Sequence, residues 1–298
     1  MASSVQYENI NMRTGFFNLL RLDHRREMMR DVRAGLTRPR KSIPAKYFYD
    51  SHGSWLFEQI TTTPEYYLTK TELSILDHSA QDMVKFLSGE ACDIVELGSG
   101  SAGKIRKLLD AAYANGAGRV RYVPVDICGR CVEEVMDELP PVYPGLEVLG
   151  LNADFTSDLR IIQGERKLVV FFGSTIGNFT ESECTSFLER IKLIMNPEDR
   201  LLVGMDMVKP VHVMEAAYND KAGNTRRFNL NMLSVLNREL GADFNPDDFE
   251  HLARYNPDEE QIEMHLRARR AVSASIPDLS LEVTLQEGET IHTEICRK

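Results

Sequence analysis

The sequence predicts an α/β fold, a doubly wound parallel sheet with a second, α+β lobe. The first observation is a series of five apolar runs separated by amphipathic stretches such as Glu181 to Met195, which predicts alternating strands and helices. The strands are expected at residues 93–97, 120–126, 147–152, 167–173 and 200–206. The second observation is a glycine-rich turn directly after the first run. The third is a change of pattern after about residue 207, which predicts a separate lobe.

The two ends of the chain carry the elements of that lobe. Helices are expected near 24–36 and 51–60, and again at 210–218, 228–240 and 246–254, with strand-like stretches following at 260–273 and 279–296. Ligands of doubly wound sheets bind beyond the carboxyl ends of the strands. We therefore expect the N-terminal segment and the C-terminal third to form one lobe that closes a cleft over this ligand.

Composition restricts the class of protein. The chain has 298 residues, 43% of them hydrophobic, which is enough to bury a large core. The formal net charge of −10 opposes nucleic acid or an anionic membrane as the main partner, because both need clustered lysine and arginine. The start of the chain lacks the pattern of a secretory signal, and no stretch approaches the ~18 apolar residues of a membrane span. These observations favour a cytoplasmic enzyme with a small-molecule substrate.

The cysteines agree with that location. They are five in number, without framework spacing, which suits a reducing compartment. Cys128 and Cys131 form one C-x-x-C, but no second Cys or His pair stands at zinc spacing. We expect these two thiols to lie in a turn that enters a helix, and no metal site is predicted.

The strongest chemical signal is the glycine loop after the first strand. Gly98, Gly100 and Gly103 let backbone N–H groups approach a ligand, and they also fit the dinucleotide pattern G-x-G-x-x-G. Glu96, at the entry of the loop, would repel a pyrophosphate and attract a sulfonium, which favours S-adenosylmethionine over a nicotinamide dinucleotide. Asp126 ends the next strand, where it can accept ribose hydroxyl hydrogen bonds.

Two long stretches carry a family resemblance. They run from Pro44 to Glu58 and from Thr63 to Glu72, and together they resemble the signature of the histidine-specific Nα-methyltransferases of ergothioneine biosynthesis. The resemblance continues through the glycine loop and covers nearly the whole chain from about residue 15. Its further motifs are Phe172–Phe179, Ala217–Asp220, Phe228–Asn231 and Glu294–Cys296.

The resemblance implies a class I methyltransferase fold that trimethylates the α-amino group of L-histidine to hercynine. It implies an S-adenosylmethionine-binding domain at 71–207 and a substrate lobe from 15–70 and 208–298. The residues implied to contact the cofactor are Gly98, Lys104, Asp126 and Asp154, with Tyr49 and Phe57 closing over it. From the residues alone, Asp154 and Phe155 form a pair that can hold an adenine's amino group and ring face.

The resemblance also implies a set of substrate contacts. Asn178 and Tyr218 would hold the substrate carboxylate, and the Gly173 carbonyl would help place the amine. Tyr66, Glu294 and Cys296 would face the imidazole, and Met264 would line the side-chain pocket. Tyr49, Asn178 and Tyr218 are the expected catalytic residues. A tyrosine or a water would receive the proton that the amine must lose before each attack.

The chain departs from the family at two places, which keep alternatives open. Cys296 stands where histidine-specific members carry a serine, and a thiol is a weaker hydrogen-bonding group. A tryptophan-like substrate is therefore an alternative, and so is an inactive binding or regulatory homologue. Family members also continue beyond Lys298 with a helix and strands that return to the sheet. We expect the fifth strand to form an apolar edge, so that either the chain is a truncated or variant product or another chain covers this edge.

Overall fold

The structure is a computed structural model and describes residues 14–20, 23–157, 159–164 and 166–298. Contacts divide the chain into two compact units. The first contains the described residues up to Leu19, Leu73–Phe172 and Glu181–Val203. The second contains the described residues of Leu20–Glu72, together with Gly173–Thr180 and Gly204–Lys298. Among the described residues, none of the helices has the length and apolar character to cross a membrane.

The first unit is built on a six-stranded sheet in which every neighbouring pair is parallel. Numbered along the whole chain, its strands are β1 (Gly15–Asn18), β3 (Cys92–Leu97), β4 (Val120–Asp126), β5 (Glu147–Asn152), β6 (Arg166–Phe171) and β7 (Arg200–Val203). Their order in the sheet is β1-β5-β4-β3-β6-β7. All six residues of β3 are buried, as expected of a parallel strand with helices on both faces.

Amphipathic helices cover this sheet. They are α3 (Tyr67–Val84), whose first turns belong to the second unit, α4 (Ile105–Ala114), α5 (Gly129–Glu138) and α6 (Glu181–Ile194). Leu108, Leu109 and Ala112 of α4 pack in one hydrophobic cluster with Ile94 of β3. The strand order reverses at β3, which has β4 on one side and β6 on the other. The carboxyl end of β3 is therefore the position where doubly wound sheets bind ligands.

The second unit combines helices with antiparallel strands. Its remaining helices are α1 (Asp23–Leu36), α2 (Ser51–Thr61), α7 (Val211–Ala217) and α8 (Asn224–Leu240). A four-stranded sheet has the order β2-β12-β9-β8, from β2 (Lys41–Ser42), β8 (Phe249–Asn256), β9 (Gln261–Ala268) and β12 (Thr290–Arg297). β10 (Val272–Ile276) and β11 (Leu281–Leu285) form a separate hairpin. α8 contributes Phe228, Met232 and Leu236 to the core of this unit.

Most predicted elements are confirmed, and one is wrong. β4 and β5 have the predicted bounds, and α1, α2 and α6 lie within a residue of theirs. The helix expected at 246–254 is a short 3₁₀ turn, Pro246–Asp248, followed by β8. β8 pairs with β9 along its full length, from Phe249 to Asn256. This pairing with a distant strand outweighs a local pattern that also fits an amphipathic helix.

Two strands end earlier than expected, and a third was not predicted. β6 ends at Phe171 because Gly173 and Ser174 have φ of 78° and 58°, outside the extended region. β7 ends at Val203, three residues before the predicted end, and is the last strand of the sheet among the described residues. β1 was not predicted. It pairs with β5 and so belongs to the first unit, whereas residues from 15 onward were expected in the substrate lobe.

Candidate active site

The glycine loop of the first unit leaves open space above its backbone. Gly98 and Gly100 have φ of 69° and 47°, a left-handed conformation that favours glycine. The Gly98 N–H donates to the Val125 carbonyl at 2.8 Å, which ties the loop to β4. A Cβ atom added at Gly100 or Gly103 would meet no atom within 4 Å. The loop therefore has room for a ligand to approach its backbone.

Asp126 lies at the end of β4 and supports the same loop. Its Oδ2 accepts the Gly100 N–H at 2.9 Å, and its Oδ1 accepts the Cys128 N–H at 2.8 Å. Burial raises the pKa of Asp126, and these backbone donors partly offset the effect. Since a carboxylate oxygen has more than one lone pair, Asp126 can organise the loop and still accept a ligand hydroxyl.

Glu96 is more enclosed than the loop-entry role suggested. Its side chain is 2% exposed, and the hydroxyl of Tyr122 donates to its Oε2 at 2.5 Å. Burial, with a contribution from Glu96, raises the pKa of Tyr122 well above its usual value, so this hydroxyl remains a donor. Tyr122 is a partner that the sequence reasoning missed, because β4 reads only as an apolar strand.

The remaining predicted cofactor residues of this unit make local contacts. Asp154 accepts hydrogen bonds from the N–H and the hydroxyl of Thr156, at 2.8 and 2.6 Å. The Phe155 ring lies 3.5 Å from a Cβ built at Gly98. Lys104 places its ammonium 5.9 Å from the centre of the Phe172 ring. Their roles toward the cofactor stay predictions.

The C-x-x-C motif begins helix α5, as expected. Cys128 is the N-cap residue, and its sulfur accepts the Cys131 N–H at 3.4 Å. Among the described residues, no group of three His, Cys, Asp or Glu side chains is arranged to hold a metal ion.

The second unit contains a cavity that gathers the predicted substrate residues. Every predicted substrate contact lines it, and so do Tyr49 and Phe57, which the resemblance assigns to the cofactor. Five further lining residues were not predicted. They are Ile60, Thr175, Ala217, Thr225 and Phe228. Of these, Thr175, Ala217 and Phe228 lie in motifs that carried the resemblance, which is the one signal that pointed to them.

Glu294 is the acidic group of this cavity. Its Oε1 accepts a hydrogen bond from the Asn178 amide at 2.9 Å. Burial raises the pKa of Glu294 to about 7, although Lys298 and Asn178 both act to lower it. Its carboxyl group is therefore poised to change charge near neutral pH.

A β-bulge in β12 aims Glu294 into the cavity. His292 pairs with His265 and Glu294 with the adjacent Met264, so Thr293 has no counterpart on β9. The buried Thr293 hydroxyl instead donates to Asn229 Oδ1 at 2.8 Å. Such a bulge re-aims the side chains that follow it. Glu294 therefore lines the cavity, and its strand does not alternate regularly at this point.

Two tyrosines of the cavity keep their hydroxyl protons. Tyr66 and Tyr218 pack edge to face, with ring centres 6.2 Å apart. Burial raises the pKa of both hydroxyls well above the usual value, and nearby Cys296 and Glu294 add to the effect. Neither is ionised at neutral pH, so neither is ready to act as a base.

Glu72 holds the backbone that brings Gly173 to the cavity wall. Both of its carboxyl oxygens lie 3.0 Å from the Gly173 nitrogen. The following residue, Ser174, adopts the left-handed region, and its hydroxyl accepts the Asp206 N–H at 3.0 Å. Non-glycine residues in this conformation cost about 1–3 kcal/mol and persist where neighbours impose them.

Comparison with known proteins identifies the family of this chain. A family model described as histidine-specific methyltransferase, SAM-dependent, matches residues 28–298. The chain belongs to this family. The matched range includes both the glycine loop and the cavity of the second unit.

Curated relatives of this methyltransferase carry consistent names. The histidine N-alpha-methyltransferase of Mycolicibacterium smegmatis is 44% identical over 94% of this chain and 87% of its own length. The enzyme of the same name from Mycobacterium tuberculosis is 42% identical over 91% of this chain and 84% of its own. Ergothioneine biosynthesis protein 1 of Neurospora crassa is 32% identical, and the match covers 74% of this chain and 26% of that protein.

The residues of the methyltransferase fit its cofactor, S-adenosylmethionine. The open space above Gly100 and Gly103 admits a ligand that a side chain there would exclude. Asp126 stands at the strand end where an acceptor for ribose hydroxyls is needed, and the buried Glu96 lies in β3 just before the loop. We therefore expect the first unit to hold the cofactor through these residues.

Proposed function

We propose that this protein methylates the α-amino group of L-histidine in three successive steps, forming hercynine for ergothioneine biosynthesis. The observation that carries the proposal is the placement of Glu294, a carboxyl group in a cavity that five aromatic side chains help to line. Its pKa of about 7 lies close to the value of about 6.5 for a free imidazole. A carboxylate and an imidazolium at this site would share a charge-assisted hydrogen bond, which an apolar side chain cannot form.

The cavity also offers groups for the zwitterionic end of an amino acid. The Asn178 amide and the Tyr218 hydroxyl are both donors, and both line the cavity. We assign them to the α-carboxylate, for which they supply hydrogen bonds without a competing positive charge. The Gly173 carbonyl, oriented by Glu72, is an acceptor for the amine.

S-adenosylmethionine, when bound, supplies an activated methyl group for in-line displacement. The residues of this chain contribute alignment, and well-oriented reactants reach effective molarities of about 10⁵–10⁸ M. Because Tyr66 and Tyr218 keep their protons at neutral pH, they act in this scheme by orienting the amino acid. No covalent nucleophile is required.

The direct test is incubation with S-adenosylmethionine and separate amino acids, with mass detection of added methyl groups. We expect histidine to gain three methyl groups and tryptophan and tyrosine to gain none. Glu294→Gln should lose most activity on histidine, whereas Glu282→Gln, at an exposed position of β11, should retain it. Folded protein that binds S-adenosylhomocysteine but leaves histidine unmodified would contradict the proposal.

A tryptophan-like substrate is the second candidate, and the observation that favours it is Cys296. This residue is 4% exposed and lines the cavity, where its thiol is more apolar than a hydroxyl. Methylated tryptophan in the same assay, with histidine unchanged, would select this candidate. Glu294 opposes it, since an indole N–H carries no charge to pair with a carboxylate.

A further inference from the structure

Lys298 carries a positive charge into the interior of the second unit. Its side chain is completely buried, and its ammonium lies 3.0 Å from Asp206 Oδ2. The same nitrogen is 3.2 Å from the Tyr218 hydroxyl and 3.3 Å from the Cys296 sulfur. An ammonium group has three N–H donors and no acceptor, so these three partners can satisfy it fully. Two of the three are lining residues of the cavity.

Asp206 does not cancel the whole of this charge. Its carboxylate is shared with Lys209, whose ammonium lies 2.5 Å from Oδ1. Tyr67 donates to Oδ2 at 2.5 Å. Burial opposes ionisation of Asp206, but the two lysines and Tyr67 hold its pKa below the usual value. One carboxylate against two ammonium groups leaves a net positive charge, and Lys298 is the member of this group that contacts Tyr218 and Cys296.

The contact with Lys298 determines the direction of the Tyr218 hydrogen bond. Because an ammonium only donates, the Tyr218 oxygen is the acceptor in that pair. Its own proton must therefore point to another acceptor, and it bonds the Cys296 sulfur. Thiol sulfur is a weak acceptor, whereas a carboxylate is a strong one. A carboxylate that enters the cavity can therefore replace the sulfur as the acceptor of the Tyr218 hydroxyl. The hydrogen bond from Lys298 to the Tyr218 oxygen remains intact.

We propose that Lys298 is a positioning residue for the amino-acid substrate, which it serves by turning the Tyr218 hydroxyl toward the substrate carboxylate. The proposal rests on the proposed function for the identity of the substrate. It assigns to Lys298 no contact with the reacting atoms.

The charge of Lys298 also acts on Glu294, which gives a measurable sign that this ammonium reaches the cavity. The titratable ones are Tyr66, Tyr218, Cys296 and Lys298, and among them only Lys298 is positively charged. Asn178 is its neutral donor. Burial raises the pKa of Glu294, and Lys298 is the larger of the two influences that lower it. Removing the ammonium should therefore raise this pKa further and make Glu294 neutral over more of the physiological range.

The test compares Lys298→Met with Lys209→Met. Both substitutions remove a partner of Asp206, but only the first removes contacts to Tyr218 and Cys296. The titration of Glu294 is followed by NMR of protein labelled with carboxyl-¹³C glutamate, with Glu294→Gln to assign the signal. We expect its midpoint to rise by about one pH unit in K298M and to stay in place in K209M. Lys298→Arg, which retains the charge, should restore it.

Kinetics supply the second measurement. In K298M we expect KM for histidine to rise about tenfold with a smaller change in kcat, and the acidic limb of kcat/KM to move to higher pH. Histidinamide, which lacks the carboxylate, should show a much smaller change in KM. If K298M does not fold, Lys298→Gln keeps donors without the charge and replaces it in both measurements.

The outcomes separate the two proposals. A folded K298M or K298Q in which the Glu294 midpoint is unmoved would overturn the role of Lys298, and this measurement needs no enzymatic activity. Unchanged KM for histidine in these variants would do the same. Wild-type protein that does not methylate histidine would instead overturn the proposed function.

Discussion

The Asn178 amide donates to Glu294 at 2.9 Å, joining the residue assigned to the substrate carboxylate to the residue assigned to the imidazole. An amide nitrogen only donates, so this bond forms whether or not the carboxyl is protonated, but it is stronger with the carboxylate. In the bound substrate, Asn178 would contact the α-carboxylate and Glu294 would contact the imidazole. The charge on Glu294 therefore affects how firmly the Asn178 amide is held where the substrate carboxylate would bind.

Replacing Glu294 by glutamine should stabilise the fold while reducing activity. The folded-state pKa of about 7 lies above the reference value of 4.5, so the folded protein binds more protons than the unfolded chain between these two pH values. The destabilisation of the folded state by Glu294 thus grows as pH rises from about 4.5 to 7, and it stays constant at higher pH. Chemical denaturation at pH 8 should show E294Q more stable than wild type by up to about 3 kcal/mol.

The same two proteins at low pH provide the control for this prediction. Near pH 4 the carboxyl is mostly protonated in both states, so wild type and E294Q should unfold at nearly the same denaturant concentration. An equal difference in stability at pH 4 and pH 8 would show that packing, and not charge, separates the two proteins. In the methylation assay, kcat/KM of wild type should fall as pH drops below about 7.

Substitutions in the glycine loop should separate ligand exclusion from backbone strain. Gly103→Ala introduces a methyl group that meets nothing within 4 Å and requires no positive φ. We expect its melting temperature to match wild type, while calorimetry shows at least about tenfold weaker binding of S-adenosylhomocysteine, because the methyl occupies ligand space.

Gly100 and Gly116 form a matched pair for the strained conformation. Both have positive φ, 47° and 69°, and at both an added Cβ would meet nothing within 4 Å. Alanine at either site should cost about 1 kcal/mol of stability. Only Gly100→Ala should also weaken S-adenosylhomocysteine binding, and equal binding by both variants would remove the loop from the cofactor site.

Glu72→Gln should disturb the Gly173 turn. The carboxyl group accepts the Gly173 N–H with both oxygens, and glutamine retains only one acceptor. We expect a loss of about 1–2 kcal/mol in the free energy of unfolding and a lower kcat for histidine. Glu65→Gln, at a partly buried position earlier in the same motif, is the control and should behave as wild type in both measurements.

Cys296→Ser should raise activity on histidine. Burial raises the pKa of the thiol, so Cys296 is neutral and a poor hydrogen-bonding partner for an imidazole. A serine hydroxyl donates and accepts more strongly, and we expect kcat/KM for histidine to rise about three- to tenfold relative to tryptophan. Unchanged selectivity in C296S would mean that this side chain makes no contact with the substrate.

The strands of the first unit could be predicted because buried parallel strands appear in the sequence as continuous apolar runs. β4 and β5 are apolar runs that end at Asp126 and Asn152, and both were predicted with the observed bounds. The glycine loop was recognisable for the same reason, since it directly follows such a run. β8 was mistaken for a helix because its mixture of charged and apolar residues fits both periods, and only its pairing with β9 decides between them.

The parallel sheet, the glycine loop after β3 and the family resemblance could be predicted from the sequence, because they depend on local pattern and on contiguous motifs. The direction of Glu294 and the charges around it depend on contacts between distant parts of the chain. The bulge at Thr293 depends on the register between β12 and β9, and Lys298 acquires its role from Asp206 and Tyr218, 92 and 80 positions away in the chain. Burial of Glu294 among these neighbours sets its pKa, and no spacing of residues along the chain expresses burial of that kind.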